Sequence, residues 1–232
     1  MTEWCHSESA RRVSLSRLLQ LTSPALPLGG FAYSQGLEQA SNRGWVTDAP
    51  SLEDWLLGRL RHCVACTDLP LLGRHYLAWK NDDEAAVWRW THVVHALRDT
   101  SESQREEQHF GSSLARVLVH LGTEKARPFM GHPDVSYVGM FALAAVSWQL
   151  QLEDAMTGYA FAWLENQLGV ATRLLPVGQL AAQAILSRSL PEIESCVERA
   201  SSFADDEIGY VAQGVSMASS WHERQYSRLF RS

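Results

Sequence analysis

Apolar residues recur at intervals of three and four along almost the whole of this chain, a period that suits helices and little else. Leu52, Trp55, Leu56, Leu60, Cys63 and Val64 form one stripe behind Pro50, with Ser51 and Asp54 placed to start the helix as a capping box. Val87, Trp90, Val94 and Leu97 form a second, preceded by Asp82, Asp83 and Glu84, where the positive end of a helix dipole favours negative charge. Leu114, Val117, Leu118 and Leu121 form a third, stopped at Gly122. Val138 to Leu150 and Ala155 to Ala171 are apolar over most of their circumference, as helices at the centre of a bundle are. Pro176 and Pro191 punctuate two or three more. No run of alternating β-branched residues lies between turn signals. The expectation is an all-α, single-domain bundle of about nine or ten helices over residues 1–232, with flexible ends near 1–10 and 225–232.

Charge and composition narrow the function. A chain of 232 residues that is 46% hydrophobic and 20% charged can bury a substantial core, and its net charge of −6 argues against a nucleic-acid partner, which calls for a basic face. Lys80 and Lys125 are the only lysines, so nearly all positive charge is arginine, the cation favoured at protein interfaces. The opening "MTEWCHSESARR" has no apolar stretch of signal-peptide type, and the run Val138 to Val146 is too short to span a bilayer. A cytoplasmic protein with no membrane partner is expected. Four cysteines in a chain of this length make no disulfide framework, which fits a reducing compartment.

Three chemical readings compete. In "SPALPLGGFAYSQGLE", Ser34 invites comparison with a hydrolase nucleophile, but the nucleophile elbow wants glycine on both sides and a strand before it. Here Ala32 replaces the first glycine, and Pro24 and Pro27 forbid a central strand. As a plain helix cap, Ser34 contributes about 1 kcal/mol yet leaves Gly36 and the crowded Pro and Gly residues unexplained. Cys63 and Cys66 in "HCVAC" offer a thiol or metal site, although a structural zinc needs two more ligands and Cys5 and Cys196 stand far off in sequence. His92 and His95 share a face without the carboxylate of a metalloprotease motif, and neither Lys80 nor Lys125 follows the glycine of a phosphate loop. The carboxylate groups Glu102, Glu106, Glu107; Glu153, Asp154; and Asp205, Asp206, Glu207 suit helix starts and solvated faces. No catalytic residue, metal ligand or cofactor is assigned; Ser34 hydrolysis and a Cys63/Cys66 site remain the alternatives.

Three stretches still lack an account: "SPALPLGGFAYSQGLE", "NQLGVATRLLPVGQ" and "HERQYSRLFRS". Together they resemble the UreF family of urease accessory proteins. The resemblance rests on Pro24, Pro27, Gly29, Phe31, Tyr33, Ser34, Gly36 and Glu38, then on Gln167, Arg173, Pro176 and Gln179. It closes on Tyr226, Ser227, Arg228, Leu229, Phe230, Arg231 and Ser232. Ala32 departs from the family, many members of which carry a hydroxyl residue there. The resemblance implies a non-enzymatic chaperone of nickel insertion that forms a homodimer and joins UreD (UreH) and the GTPase UreG to apo-urease, modulating GTP hydrolysis. On that view Phe31, Tyr33, Ser34, Glu38, Tyr226, Arg228, Leu229, Phe230 and Arg231 meet a partner, and Gln167, Arg173, Pro176 and Gln179 lie at the dimer interface. Helical spacing would set Tyr226, Leu229 and Phe230 along one face of the tail, an anchor for a groove.

Overall fold

Ten α-helices and no strand are found among the described residues of the computed structural model, 2–210 and 212–232, with side chains described from Arg12 onward. They are α1 (Thr2–Leu21), α2 (Leu37–Asn42), α3 (Ala49–Arg59), α4 (Leu69–Lys80), α5 (Glu84–Ala96), α6 (Ser101–His120), α7 (Tyr137–Ser147), α8 (Leu152–Leu174), α9 (Gln179–Ser201) and α10 (Gln213–His222). The expected flexible stretch 1–10 lies outside the residues whose side chains are described.

The middle of the bundle is α7, where every residue from Val138 to Ala145 is buried. A helix so apolar all round is stable only when enclosed, and α4 and α6 enclose it. Gly111 of α6 makes that approach possible: a Cβ there would lie 2.8 Å from the Ser136 carbonyl carbon. Glu107, one turn earlier, accepts from the N–H groups of Tyr137 (2.6 Å) and Val138 (3.1 Å), so a neighbouring helix caps the start of α7. Leu52, Leu56, Leu60, Leu69, Leu71 and Leu72 carry the core along the next layer.

Local signals are refined in three places. The helix at Ala49 is capped by Asp48, whose side chain accepts from Ser51 N–H, so the capping box opens one turn before the expected Ser51. Pro191 does not end a helix but lies inside α9, on its exposed side, where the missing donor is tolerated. The helix that carries Cys63 runs from α3 into α4 without a break, but Leu60–Asp68 between them is π-helical. Wider turns of this kind free carbonyls, and one of them, Cys66 C=O, accepts from Gly209 N–H at 3.1 Å.

Candidate functional site

The motif around Ser34 is a shaped turn. After the short 3-10 turn Gly30–Ala32, the chain passes through Tyr33 in an extended conformation and then takes two successive positive φ angles, 52° at Gln35 and 85° at Gly36. Gly36 is required twice over, by its φ and by α10, since a Cβ would meet Ala218 Cβ at 3.3 Å and Ser219 N at 3.4 Å. Ser34 is wholly buried. Its hydroxyl donates to the carbonyl of Ser232 and accepts from Glu38 N–H at 3.3 Å, and its own N–H donates to the same Ser232 carbonyl at 2.8 Å. No histidine is among its partners.

The tail is the other half of the site. α10 ends at His222, and Gln225 to Ser232 are not helical, contrary to the spacing of Tyr226, Leu229 and Phe230. The chain instead folds back across the Ser34 turn. Glu38, buried in α2, is the anchor: its carboxylate accepts from Leu229 N–H (2.8 Å), Phe230 N–H (2.9 Å) and the Gln225 amide (3.1 Å). A carboxylate has lone pairs for that many donors, which no neutral side chain offers. Arg231 N–H then donates to the Ala32 carbonyl at 2.8 Å. Phe230 is buried with the Arg173 guanidinium 4.8 Å above its ring.

Beneath the tail, His222 sits between two carboxylates, Nδ1 at 2.8 Å from Glu102 and Nε2 at 3.1 Å from Glu38. Glu102 also accepts from Arg228 at 2.7 Å. Farther in, Glu106 accepts from the Gln35 amide (2.6 Å) and the Ser232 hydroxyl (3.0 Å), and burial pushes its carboxyl up to about 7. Ser232, Gln35 and Glu106 also line a cavity of about 510 Å³ reaching in to Arg59, Cys63, Asp68 and Arg98. Arg98 is paired there with Asp68 and Glu107, each at 2.8 Å.

Of the residues singled out in the sequence, Ser34, Glu38, Arg228, Phe230 and the main chain of Leu229 and Arg231 converge on this one region. Tyr33 is buried at the same turn, edge-on to Phe110 with ring centres 5.0 Å apart. Three apolar side chains stay outside: Phe31 is 69% exposed, Leu229 56%, and Tyr226 wholly exposed. Arg173 is exposed and donates to the Phe31 carbonyl at 2.9 Å; Pro176 and Gln179 are exposed nearby, and Gln167 is fully buried below them. Cys63 faces the cavity, while Cys66 and Cys196 are buried against carbonyls of the π-helical segment. Among the described residues no three His, Cys, Asp or Glu side chains are grouped to hold a metal ion, and no helix is long and apolar enough to cross a membrane.

Glu38, the tail and the Ser34 turn are thus parts of one construction, built from the first and last of the three motifs on which the family resemblance rests. The UreF family profile matches residues 46–190. The chain belongs to the UreF family. It is 42% identical to the urease accessory protein UreF of Alkalilimnicola ehrlichii, over 93% of this chain and 95% of that one. It is 45% identical to the urease accessory protein UreF of Chromohalobacter salexigens, over 95% of each chain. Gln35, Arg59, Glu102, Glu106 and His222 complete this construction and were not picked out as site residues from sequence. Gln35 and His222 carried a signal, lying inside the Ser34 and tail motifs; Glu102, Glu106 and Glu107, expected at a helix start or on a solvated face, are buried instead because the tail and the start of α7 are laid on them.

Proposed function

We propose that this chain is a non-enzymatic adaptor of urease maturation in the cytoplasm, joining UreD (UreH) and the GTPase UreG to apo-urease while nickel is delivered. Membership of the UreF family supports the setting. The observation that carries the adaptor reading is the tail itself, whose polar main chain is held inward by Glu38 while Tyr226 and Leu229 are turned out, as Phe31 is on the turn that the tail crosses. Two aromatic side chains and a leucine on a fixed backbone make an anchor surface that needs little ordering on association. Exposed Arg231 adds a positive charge near the tail, while Arg228 is turned inward to Glu102. Ser34 has its hydroxyl engaged with main chain on both sides, which favours a structural part in the surface over nucleophilic chemistry.

Arg173, Pro176 and Gln179, with Leu180 at 88% exposure beside them, form the surface proposed for a second copy of the chain, with Gln167 supporting it from below. Capture of purified UreD by the tagged chain tests the adaptor reading. Tyr226→Ala with Leu229→Ala should weaken capture about ten-fold or more without changing the melting temperature, as loss of exposed hot-spot side chains does. Capture at wild-type strength would place the contact elsewhere. Light scattering of the isolated chain is expected to give twice the chain mass, and a monomer would overturn the dimer.

A further inference from the structure

Gln35 stands between the tail and the cavity, in a left-handed conformation (φ 52°) that glutamine seldom adopts. Its side chain is fully engaged. The amide nitrogen donates to Glu106 Oε1 at 2.6 Å, and the amide oxygen accepts from Arg59 Nη2 at 3.0 Å and Trp163 Nε1 at 2.9 Å. Its main-chain carbonyl takes a second Arg59 bond, from Nη1 at 3.1 Å, and its N–H faces the Ser232 hydroxyl at 3.4 Å. The amide therefore joins a guanidinium to a buried carboxyl group: its oxygen toward the cation, its N–H toward a carboxyl oxygen. Glu106 in turn holds Ser232 of the tail.

Arg59 depends on this bridge. Its Nε has no acceptor, its other polar contacts are Gln167 at a long 3.4 Å and the Cys63 thiol, and it otherwise rests on the Trp163 ring, 5.2 Å from the centroid. It ends α3 and stands beside Cys63 in the π-helical segment. A left-handed glutamine is held only while its surroundings over-determine it. Removing Ser232 from Glu106 takes away one of those determinants, and Gln35 then has a relaxed alternative.

We infer that Gln35 is a positioning residue that couples the seating of the tail to the shape of the cavity wall at Arg59 and Cys63. A partner that lifts the tail off its groove shifts Gln35 out of its left-handed state, and Arg59 loses the bridge that holds it against the wall. The use of this coupling rests on the reading that a partner takes the tail surface. The coupling itself is measured on the full chain alone, so failure of partner capture and failure of the coupling are read in separate experiments.

The probe is N-ethylmaleimide, whose rate of addition to Cys63 is followed by peptide-resolved mass spectrometry, so that the other cysteines do not interfere. Leu229→Pro deletes the N–H that Glu38 accepts and leaves an exposed side chain position otherwise undisturbed; Phe230→Ala is a second way to loosen the tail. Trypsin cleavage reports the release, after Arg228 in Phe230→Ala and after Arg224 in Leu229→Pro, whose Arg228–Pro bond trypsin does not cut. In the wild-type background each tail variant should raise the Cys63 rate about ten-fold, a coupling of ordinary size for residues in one network. Gln35→Gly removes the bridge without backbone strain, and Gln35→Asn tolerates the left-handed φ but is one carbon too short. Either should be fast already, with the tail variants adding less than about two-fold. The inference is overturned if tail and Gln35 effects simply multiply, if released tails leave the Cys63 rate unchanged, or if Gln35→Asn behaves as wild type.

Discussion

Glu38 accepts from two tail N–H groups and the Gln225 amide and contacts His222 Nε2, and that single carboxylate decides whether the tail lies down. Glu38→Gln keeps the shape but replaces one acceptor oxygen by a donor that faces other donors, so about 2–4 kcal/mol of tail seating should be lost. Faster trypsin cleavage after Arg228 with an unchanged helical circular dichroism signal is the expected outcome. Glu106 makes the fold pH-dependent. Its carboxyl is pushed from 4.5 up to about 7, burial being the leading cause, so the folded chain holds a proton that the unfolded chain has released. That contribution is whole below pH 4.5, declines as pH rises toward 7, and is gone above it. Buried His75, with neither ring nitrogen partnered and its pKa pushed down to about 3, works the other way, since its contribution is lost as pH falls below 6.5. Comparing wild type with Glu106→Gln cancels the histidine. Urea unfolding at pH 5 and pH 8 should show wild type losing about 2 kcal/mol more than the variant on the alkaline side. Equal losses would mean that Glu106 is not buried as drawn.

At the scale of the element, two glycines in helices of this bundle predict opposite signs. Gly111 of α6 has Ser136 and Tyr137 main chain within 3.0 Å of a notional Cβ, and backbone cannot step aside, so Gly111→Ala should destabilise by about 1–3 kcal/mol. Gly58 in α3 has open space around it, so Gly58→Ala should stabilise by about 1 kcal/mol through helix propensity alone. Thermal melts of the two variants would move in opposite directions. The same contrast explains what could be read from the sequence. Apolar period marks α5, α6, α7 and α8 because each has to bury a stripe, and that demand is written locally. The π-helical stretch Leu60–Asp68 is not marked, since its residues have the same spacing whichever carbonyl their N–H groups choose. The Asp48 cap and the run of α9 through Pro191 turn on local competition that a stripe does not decide. The tail misleads outright. Tyr226, Leu229 and Phe230 have helical spacing, but the donors of that stretch are claimed by a carboxylate from the far end of the chain, and no local pattern announces a long-range acceptor.

At the scale of the whole molecule, the two ends of the family pattern stabilise each other, and the tail belongs to the core as much as to the surface. Phe230 and Ser232 are buried, and the Ser232 carbonyl satisfies both the N–H and the hydroxyl of fully buried Ser34. Deleting Tyr226 to Ser232 would leave Ser34 with an orphaned N–H and strip donors from Glu38, Glu102 and Glu106 together. Each buried group without a partner costs about 1–3 kcal/mol, though water admitted by the missing tail returns part of it. Against a total stability of about 5–15 kcal/mol for a domain, a net loss of about 3–5 kcal/mol is large. The truncated chain is therefore expected to melt well below the full chain, by about 8 °C or more for a protein of this size. Arg231→Ala, which trims an exposed side chain and keeps the main-chain bond to Ala32, should melt within about 2 °C of wild type. A truncated chain that melts with the full one would make the tail an attachment held by its own few bonds, and Glu38 would then have to find its partners in water.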